Sequence, residues 1–500
     1  GFAGFAIGAL DCLNFTVDDS FISLRFAENW ASGAGLVFNP GERVEGYSNF
    51  LWTLVLGMLA KAGIQQQAGP FALLIAAKLL GCAFAFAALV VLALFVAASL
   101  RDPGPSRGQP LTALAVLGAG STFGFALWSQ SGMETGMCAF LVTLAVCLML
   151  RALRREDALE RPARGLFVAA GIAFGLLALV RPEQVVVWGL AMTILFVGAS
   201  PGVRRSLLVS ALPTLVIVLG FMLWRWNYYG QLVPNSVVAK WGGGPLYILL
   251  GAKYVLAAVV CTVGVLGLGV LSLPSLLRSG SEWRFLALYC ASYLLFIAVS
   301  GGDWMPGFRF IAPLVPVLWL LCVLAAVRLV GTALPGMAPR AVAMAIAVLA
   351  FASMMNGRAL VRALAEFPTG LKQRVWITTP ERVQVARELA GMVPAGSTVA
   401  IGECGFIPYC ARGIRFLDVF GLMDPRIARL PGPHFSKLTL AHFLSRDPDF
   451  YLMMTRRLTD GEVVPTHPDG LMLEAAPDFH ARYRELRTFP GFTLFGRIGR

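Results

Sequence analysis

Apolar residues run along the first 357 positions of this chain in blocks separated by short polar connections. The blocks occupy residues 1–15, 70–100, 111–129, 134–150, 165–180, 185–199, 206–224, 246–272, 285–300, 308–327 and 339–357. Blocks of this length, long enough to span a bilayer or nearly so, predict eleven transmembrane helices, since a span needs roughly 20 apolar residues. The first block falls short of that length and begins at Gly1, so the start of its helix is expected to precede the sequence. A further apolar stretch, NFLWTLVLGMLAKAGI (49–64), is short, carries Lys61 and reads as an interfacial helix.

Charge decides how these segments thread the membrane. If 49–64 does not span, one set of loops holds Arg101, Arg107, Arg151, Arg154, Arg155, Arg161, Arg164, Arg204, Arg205, Arg278, Arg284, Arg328 and Arg340. The opposite set holds only Arg25, Arg43, Lys61, Arg181, Arg225, Lys240 and Arg309. Positively charged loops stay cytoplasmic, which places the loop 16–69 and the tail after 357 outside. The external set also collects Asp18, Asp19, Glu28, Glu42, Glu45, Glu134, Glu183 and Asp303, eight of the fourteen acids before residue 358.

The tail changes pattern. Helical periodicity in TPERVQVARELAGMV gives way to short apolar runs in STVAIGE, IRFLDVFG and DFYLMM, which predict a small α/β domain over 358–500. The expected fold class is thus a polytopic α-helical membrane module, 1–357, followed by an external α/β domain. No internal repeat is evident, which argues against a transporter built of inverted repeats.

Composition agrees with the pattern. Of 500 residues 57% are hydrophobic and only 14% charged, outside the range of soluble globular domains. The net charge of +13 sits mainly in inter-helix connections and is a topology signal, so no nucleic-acid partner is expected. Cys404 and Cys410 are the two cysteines in the polar tail that could pair; the null is two unrelated strand residues. All four histidines, His434, His442, His467 and His480, lie in the tail at spacings that fit no zinc pattern and read as surface residues. Carboxylates must therefore carry any acid/base work in the membrane module.

The densest set of candidates follows the first apolar block. Asp18 and Asp19 open the segment TVDDSFISLRFAENW, where adjacent carboxylates repel and raise one pKa, or alternatively cap the helix that follows. Within Ser20–Trp30 the residues Phe21, Leu24 and Phe26 suit a membrane interface. The turn-rich NPGERVEGYSN could fold back over a cavity. Arg181 at a helix end is either a fixed cation for an anion or a headgroup-snorkelling arginine. Arg309 either serves an anion or pairs internally with Asp303.

The DD pair and FNPGERVEGYSNFLW, with LWSQSGMET (127–135), LVRPE (179–183), NYYGQLVPNSVVAK (227–240), GGDWMPGFRF (301–310) and FLDVFGLMDPRIA (416–428), resemble the bacterial terminal arabinofuranosyltransferases, membrane glycosyltransferases of the GT-C fold. The resemblance runs nearly end to end and implies a polyprenyl-phosphate sugar donor, a cell-surface glycan or glycoprotein acceptor, and a site on the outer face of the bacterial inner membrane. The residues fit that scheme with Asp18, then Asp19, as the catalytic carboxylate, taking the acceptor proton if the reaction inverts or acting at the anomeric carbon if it retains. Arg181, Arg309 and Lys240 are the candidate donor-phosphate cations. Glu45, Tyr47, Glu134, Tyr229, Asn235, Asp303 and Trp304 are the candidate sugar- or acceptor-binding residues, Tyr229 and Trp304 alternatively belonging to the aromatic belt of the interface. Carboxylates and water suit Mg or Mn, which could accompany the donor phosphate, but no dedicated cage is present and no tightly bound cofactor is expected. Rival readings are a protein O-glycosyltransferase with the same donor type, a lipid-linked sugar flippase and an envelope scaffold.

Overall fold

The computed structural model describes residues 1–99, 105–157, 163–240, 244–261, 276–278, 280–323 and 380–499. They divide into two compact units that do not follow the chain in a single cut. One comprises 1–15, 75–222 and 245–375; the other joins 16–74 and 223–244 to 376–500. The expected helix over 339–357 and the expected boundary at 357/358 lie outside the described residues.

The first unit is helical. Four helices among the described residues are long and apolar enough to cross a membrane: Ala72–Ser99, Thr135–Asp157, Pro201–Tyr229 and Ser281–Val299. The chain is a multi-pass membrane protein, and among the described residues these four helices meet the length and apolarity expected of the eleven spans. Several apolar runs form shorter helices of 10–17 residues, among them Phe2–Asp11, Arg164–Val180, Gln184–Val197 and Ala312–Val323. The reasons are local. The run 111–129 breaks at Thr122 into helices Pro105–Ser121 and Phe123–Ser129. In the run 308–327, Phe308 takes a positive φ of 56°, so regular helix starts only at Ala312. Where helices cross, small residues let backbones touch: a Cβ on Gly136 would lie 2.0 Å from the Gly81 carbonyl oxygen.

The second unit is built on a six-stranded sheet ordered β2-β1-β3-β6-β5, with β4 paired to β3. The strands are β1 (Thr398–Ile401), β2 (Arg415–Asp418), β3 (Phe450–Arg457), β4 (Val463–Pro465), β5 (Tyr483–Phe489) and β6 (Phe492–Arg497). β2, β1 and β3 are parallel, while β6 and β5 complete the sheet antiparallel. Phe443, Tyr451, Leu473, Phe479 and Tyr483 form the centre of its core. The helix, Pro380–Met392, and the first three strands fall where the tail's sequence pattern placed them. Cys404 and Cys410 carry free thiols rather than a disulfide. His434, His442 and His467 are half-buried, against the surface reading, because each packs beside Phe420, Phe435 or Asp424; His480 is exposed.

The segment 16–69 belongs to this second unit. The Asp18–Ala31 helix is not interfacial along the face expected: Phe21, Leu24 and Phe26 are fully buried in protein. Phe21 packs edge-on to Phe406 and close to Tyr409, and Phe26 packs edge-on to Tyr47. The helix Phe50–Lys61 lies against it, with Gly57 directly on the Trp30 ring. Asn39 exchanges two hydrogen bonds with Phe416 on the edge strand β2, its Nδ2 donating to the carbonyl at 2.8 Å and its Oδ1 accepting from the amide at 3.1 Å. A single side chain thus pairs the exposed strand edge.

Candidate active site

Three parallel strands send their following loops to one edge of the sheet, the side where ligands bind in open α/β sheets. The loop after β1 reads Gly402, Glu403, Cys404, Gly405 and leads into the helix Phe406–Cys410. Asp18 meets that loop. It lies with Asp19 in the first turn of its own helix, where an acid is favourable. Asp18 Oδ1 accepts the backbone N–H of Phe406 at 2.8 Å. Gly405 makes the approach possible, because a Cβ there would sit 2.2 Å from the backbone and carboxyl oxygens of Asp18. Asp19, next in the chain, is half-buried like Asp18.

The electrostatics around Asp18 are set mostly by the tail. Burial and then the Glu403 carboxylate raise the Asp18 carboxyl to about 7, with a smaller push from Asp19; Arg382 and the Phe406 N–H oppose them. Arg382, buried, holds Glu403 in a salt bridge at 2.8 Å. A carboxyl with a pKa near neutrality is matched to proton transfer.

The remaining candidates of this unit form a second cluster. Glu45 and Arg225 make a buried salt bridge at 2.8 Å, and burial outweighs the arginine to raise the Glu45 carboxyl to about 7. The Tyr47 and Tyr229 hydroxyls lie 3.0 Å apart, and Tyr229 donates on to the Leu36 carbonyl at 2.8 Å. Asn235 donates to the carbonyls of Gly421 and Leu422 in the loop after β2, at 2.8 and 2.9 Å. These side chains tie the segments 36–47 and 225–235 to the tail loop 419–424. Lys240 ends the helix Asn235–Lys240 with an exposed side chain.

The helical unit brings four of the sequence-derived candidates together. Arg181 bridges Glu134 at 3.2 Å and Glu183 at 2.8 Å. Arg309 pairs with Asp303 at 2.7 Å. Both guanidinium groups flank one ring: their Cζ atoms lie 5.3 and 5.0 Å from the centroid of Phe310. Of the two readings open for Arg309, the internal ion pair with Asp303 is formed. Trp304 is 62% exposed. Among the described residues, no group of three or more His, Cys, Asp or Glu side chains is arranged to hold a metal ion.

Sequence reasoning missed Glu403, Arg382, Gly405, Phe406 and Phe310. The one available signal was an acid flanked by glycines, GECG, directly after an apolar strand. It also missed Arg25, whose buried guanidinium donates to the carbonyls of Phe38 at 2.9 Å, Ile414 at 3.2 Å and Pro408, and stacks on Phe38 and Phe416. That arginine staples the loop helix to the tail.

Residues 373–498 match the model of a domain of unknown function, DUF8728. Over 352 residues the chain is 30% identical to the terminal β-(1→2)-arabinofuranosyltransferase of Mycobacterium tuberculosis, covering 64% of this chain and 53% of that protein. It is 29% identical over 333 residues to the enzyme of the same name from Corynebacterium glutamicum, covering 60% and 46%. The chain thus spans about half the length of these curated relatives. Among solved structures, ArnT from Cupriavidus metallidurans bound to undecaprenyl phosphate superposes with a TM-score of 0.62 at 13% identity, over 99% of this chain and 97% of that one. The archaeal oligosaccharyltransferase AglB from Archaeoglobus fulgidus, in complex with an inhibitory peptide and a dolichol-phosphate, gives 0.57 at 12% identity, over 97% and 79%. The chain carries the GT-C fold seen in ArnT and AglB, and in sequence it resembles the terminal arabinofuranosyltransferases.

Proposed function

We propose that this protein is a glycosyltransferase of the bacterial inner membrane. It moves one sugar, arabinofuranose by likeness to its curated relatives, from a polyprenyl phosphate to a cell-surface glycan or glycoprotein on the outer side. The observation that carries the reading is Asp18: a carboxyl beside a polar loop of a membrane protein, seated against a glycine and titrating near neutrality.

In this scheme the acceptor hydroxyl oxygen attacks the anomeric carbon, and the bond from that carbon to the donor phosphate oxygen breaks. The polyprenyl phosphate leaves with the electron pair, and the hydroxyl proton passes to Asp18. A pKa near 7 matches the general-base role, in which the carboxyl must both take up and release a proton near neutral pH. Arg181 and Arg309 are the cations assigned to the donor phosphate; Arg181 is balanced by Glu134 and Glu183, and Arg309 by Asp303. Mg or Mn arriving with the phosphate is compatible with this scheme, and no residue is assigned to hold it.

The test is transfer itself. The full chain in lipid nanodiscs, given polyprenyl-phosphate arabinofuranose labelled in the sugar, should release label from the lipid, and mass spectrometry of surface glycans from cells with and without the protein should show the missing residue. A flippase would translocate the labelled lipid intact, and a scaffold would leave it unchanged.

A further inference from the structure

The loop after β1 carries a charged pair that none of the assigned roles uses. Glu403 lies two residues before Gly405, the glycine in contact with Asp18, and its carboxylate is held by Arg382 at 2.8 Å. Arg382 comes from a different element, the helix Pro380–Met392, and is buried. The next residue after Gly405 supplies the amide that grips Asp18. The acid thus sits on the same short loop that fixes the proposed base, and a buried guanidinium from a separate helix holds that acid.

We propose that Glu403 and Arg382 are positioning residues for Asp18: the pair anchors the GECGF loop against the carboxyl and sets, through two opposed charges, the pH at which Asp18 can accept a proton. The inference rests on the general-base reading of Asp18 for its functional meaning, although the charge coupling itself does not.

The groups facing Asp18 are Glu403, Arg382, Asp19, the Phe406 amide and the neighbouring Cys404 thiol. Glu403 and Asp19 favour the protonated form, whereas Arg382 and the amide favour the ionised form. Removing Glu403 must then lower the pH at which Asp18 titrates, and removing Arg382 must raise it. A purely structural role would lower activity in both variants without moving the titration in opposite directions.

The experiment follows the Asp18 carboxyl by pH-dependent infrared difference spectroscopy of the full chain in nanodiscs, using the carboxyl band lost in Asp18→Asn. The expected midpoint lies near 7 in the unsubstituted protein. Glu403→Gln should move it down and Arg382→Met up, each by roughly one unit, the low end of what a nearby charge produces. Glu403→Asp and Arg382→Lys, which keep the charges, should return it most of the way. Midpoints that stay together in all four variants, or that move the same way in Glu403→Gln and Arg382→Met, overturn the inference. The acid limb of turnover with polyprenyl-phosphate arabinofuranose should move with the midpoints. If the midpoints shift but turnover survives in Asp18→Asn, the coupling stands and the general-base reading fails.

Discussion

The backbone amide of Phe406 donates to the carboxylate of Asp18 across 388 positions of sequence, at 2.8 Å. An acid that looks in sequence like the opening of a membrane loop is thereby bonded to the start of the helix that follows β1 in the tail. Proposed catalysis and tail folding are tied through that one contact, and the next residue back, Gly405, is where the tie is most sensitive.

Gly405→Ala should displace Asp18, since the added methyl would meet its backbone and carboxyl oxygens at 2.2 Å and backbone cannot swing aside. A misplacement of about 1 Å at a reacting group costs on the order of 10²-fold in rate. Steady-state kinetics should therefore show kcat falling by that order with donor KM little changed. Unaltered kcat would mean that the seat of Asp18 does not matter to turnover.

Glu45→Gln should destabilise the protein more than Arg225→Met does. Both partners are buried, and removing the acid strands an arginine that keeps its charge, at a cost of about 3–5 kcal/mol, whereas removing the cation leaves a carboxyl already pushed up to about 7, which takes a proton instead. The Leu232 carbonyl, which accepts from Arg225 at 3.1 Å, offsets only part of the stranded charge. Thermal unfolding in nanodiscs checks the order; equal losses would remove the argument that the pair is a structural clamp.

Much of the architecture was legible in the chain. Blocks of apolar residues and the arginine bias announced a membrane protein, and the switch to STVAI, IRFLD and DFYLM announced strands, because both signals are periodic and local. The final hairpin, Tyr483–Phe489 with Phe492–Arg497, was missed: β5 shows its charged side chains to water, and its partner β6 is buried on both faces and so does not alternate. Among the described residues two of the expected spans are interrupted, at Thr122 and at Phe308, since hydropathy does not register a backbone break. In the site, Asp18 could be singled out from its neighbours, but its partners Glu403, Arg382 and Phe406 could not. They reach it only through tertiary folding, as does Arg25, whose role as a staple depends on three carbonyls from separate segments.

The stability of the tail should fall as pH rises. Burial raises the Asp418 carboxyl to about 6, against the Phe420 and Met423 amides that hold it, and burial with Asp418 raises Asp469 to about 7. A carboxyl that binds its proton more tightly in the folded state stabilises the fold below its unfolded pKa, and that contribution is lost as pH rises through the folded value. The loss should therefore develop between about pH 4 and pH 7. Asp469→Asn should raise the melting temperature at pH 8 and flatten this slope. A variant that melts lower at pH 8, or keeps the full slope, would show that Asp469 is stabilised as an anion.

Arg309→Ala should weaken donor use through KM. The guanidinium lies beside Phe310 with Arg181 and is balanced by Asp303, so Asp303→Asn should do the opposite by leaving the cation less engaged. Titrating polyprenyl-phosphate arabinofuranose against each variant separates the two effects. A higher donor KM in Asp303→Asn as well would assign Asp303 a direct part in binding rather than that of a counter-charge.

The most direct measurement compares single-turnover sugar transfer by the unsubstituted chain and Asp18→Asn under saturating labelled donor. The account predicts a loss of about 10²- to 10⁴-fold, the usual share of a general base, with labelled donor still bound and the fold intact by its melting temperature. Transfer by Asp18→Asn at close to the original rate would contradict it.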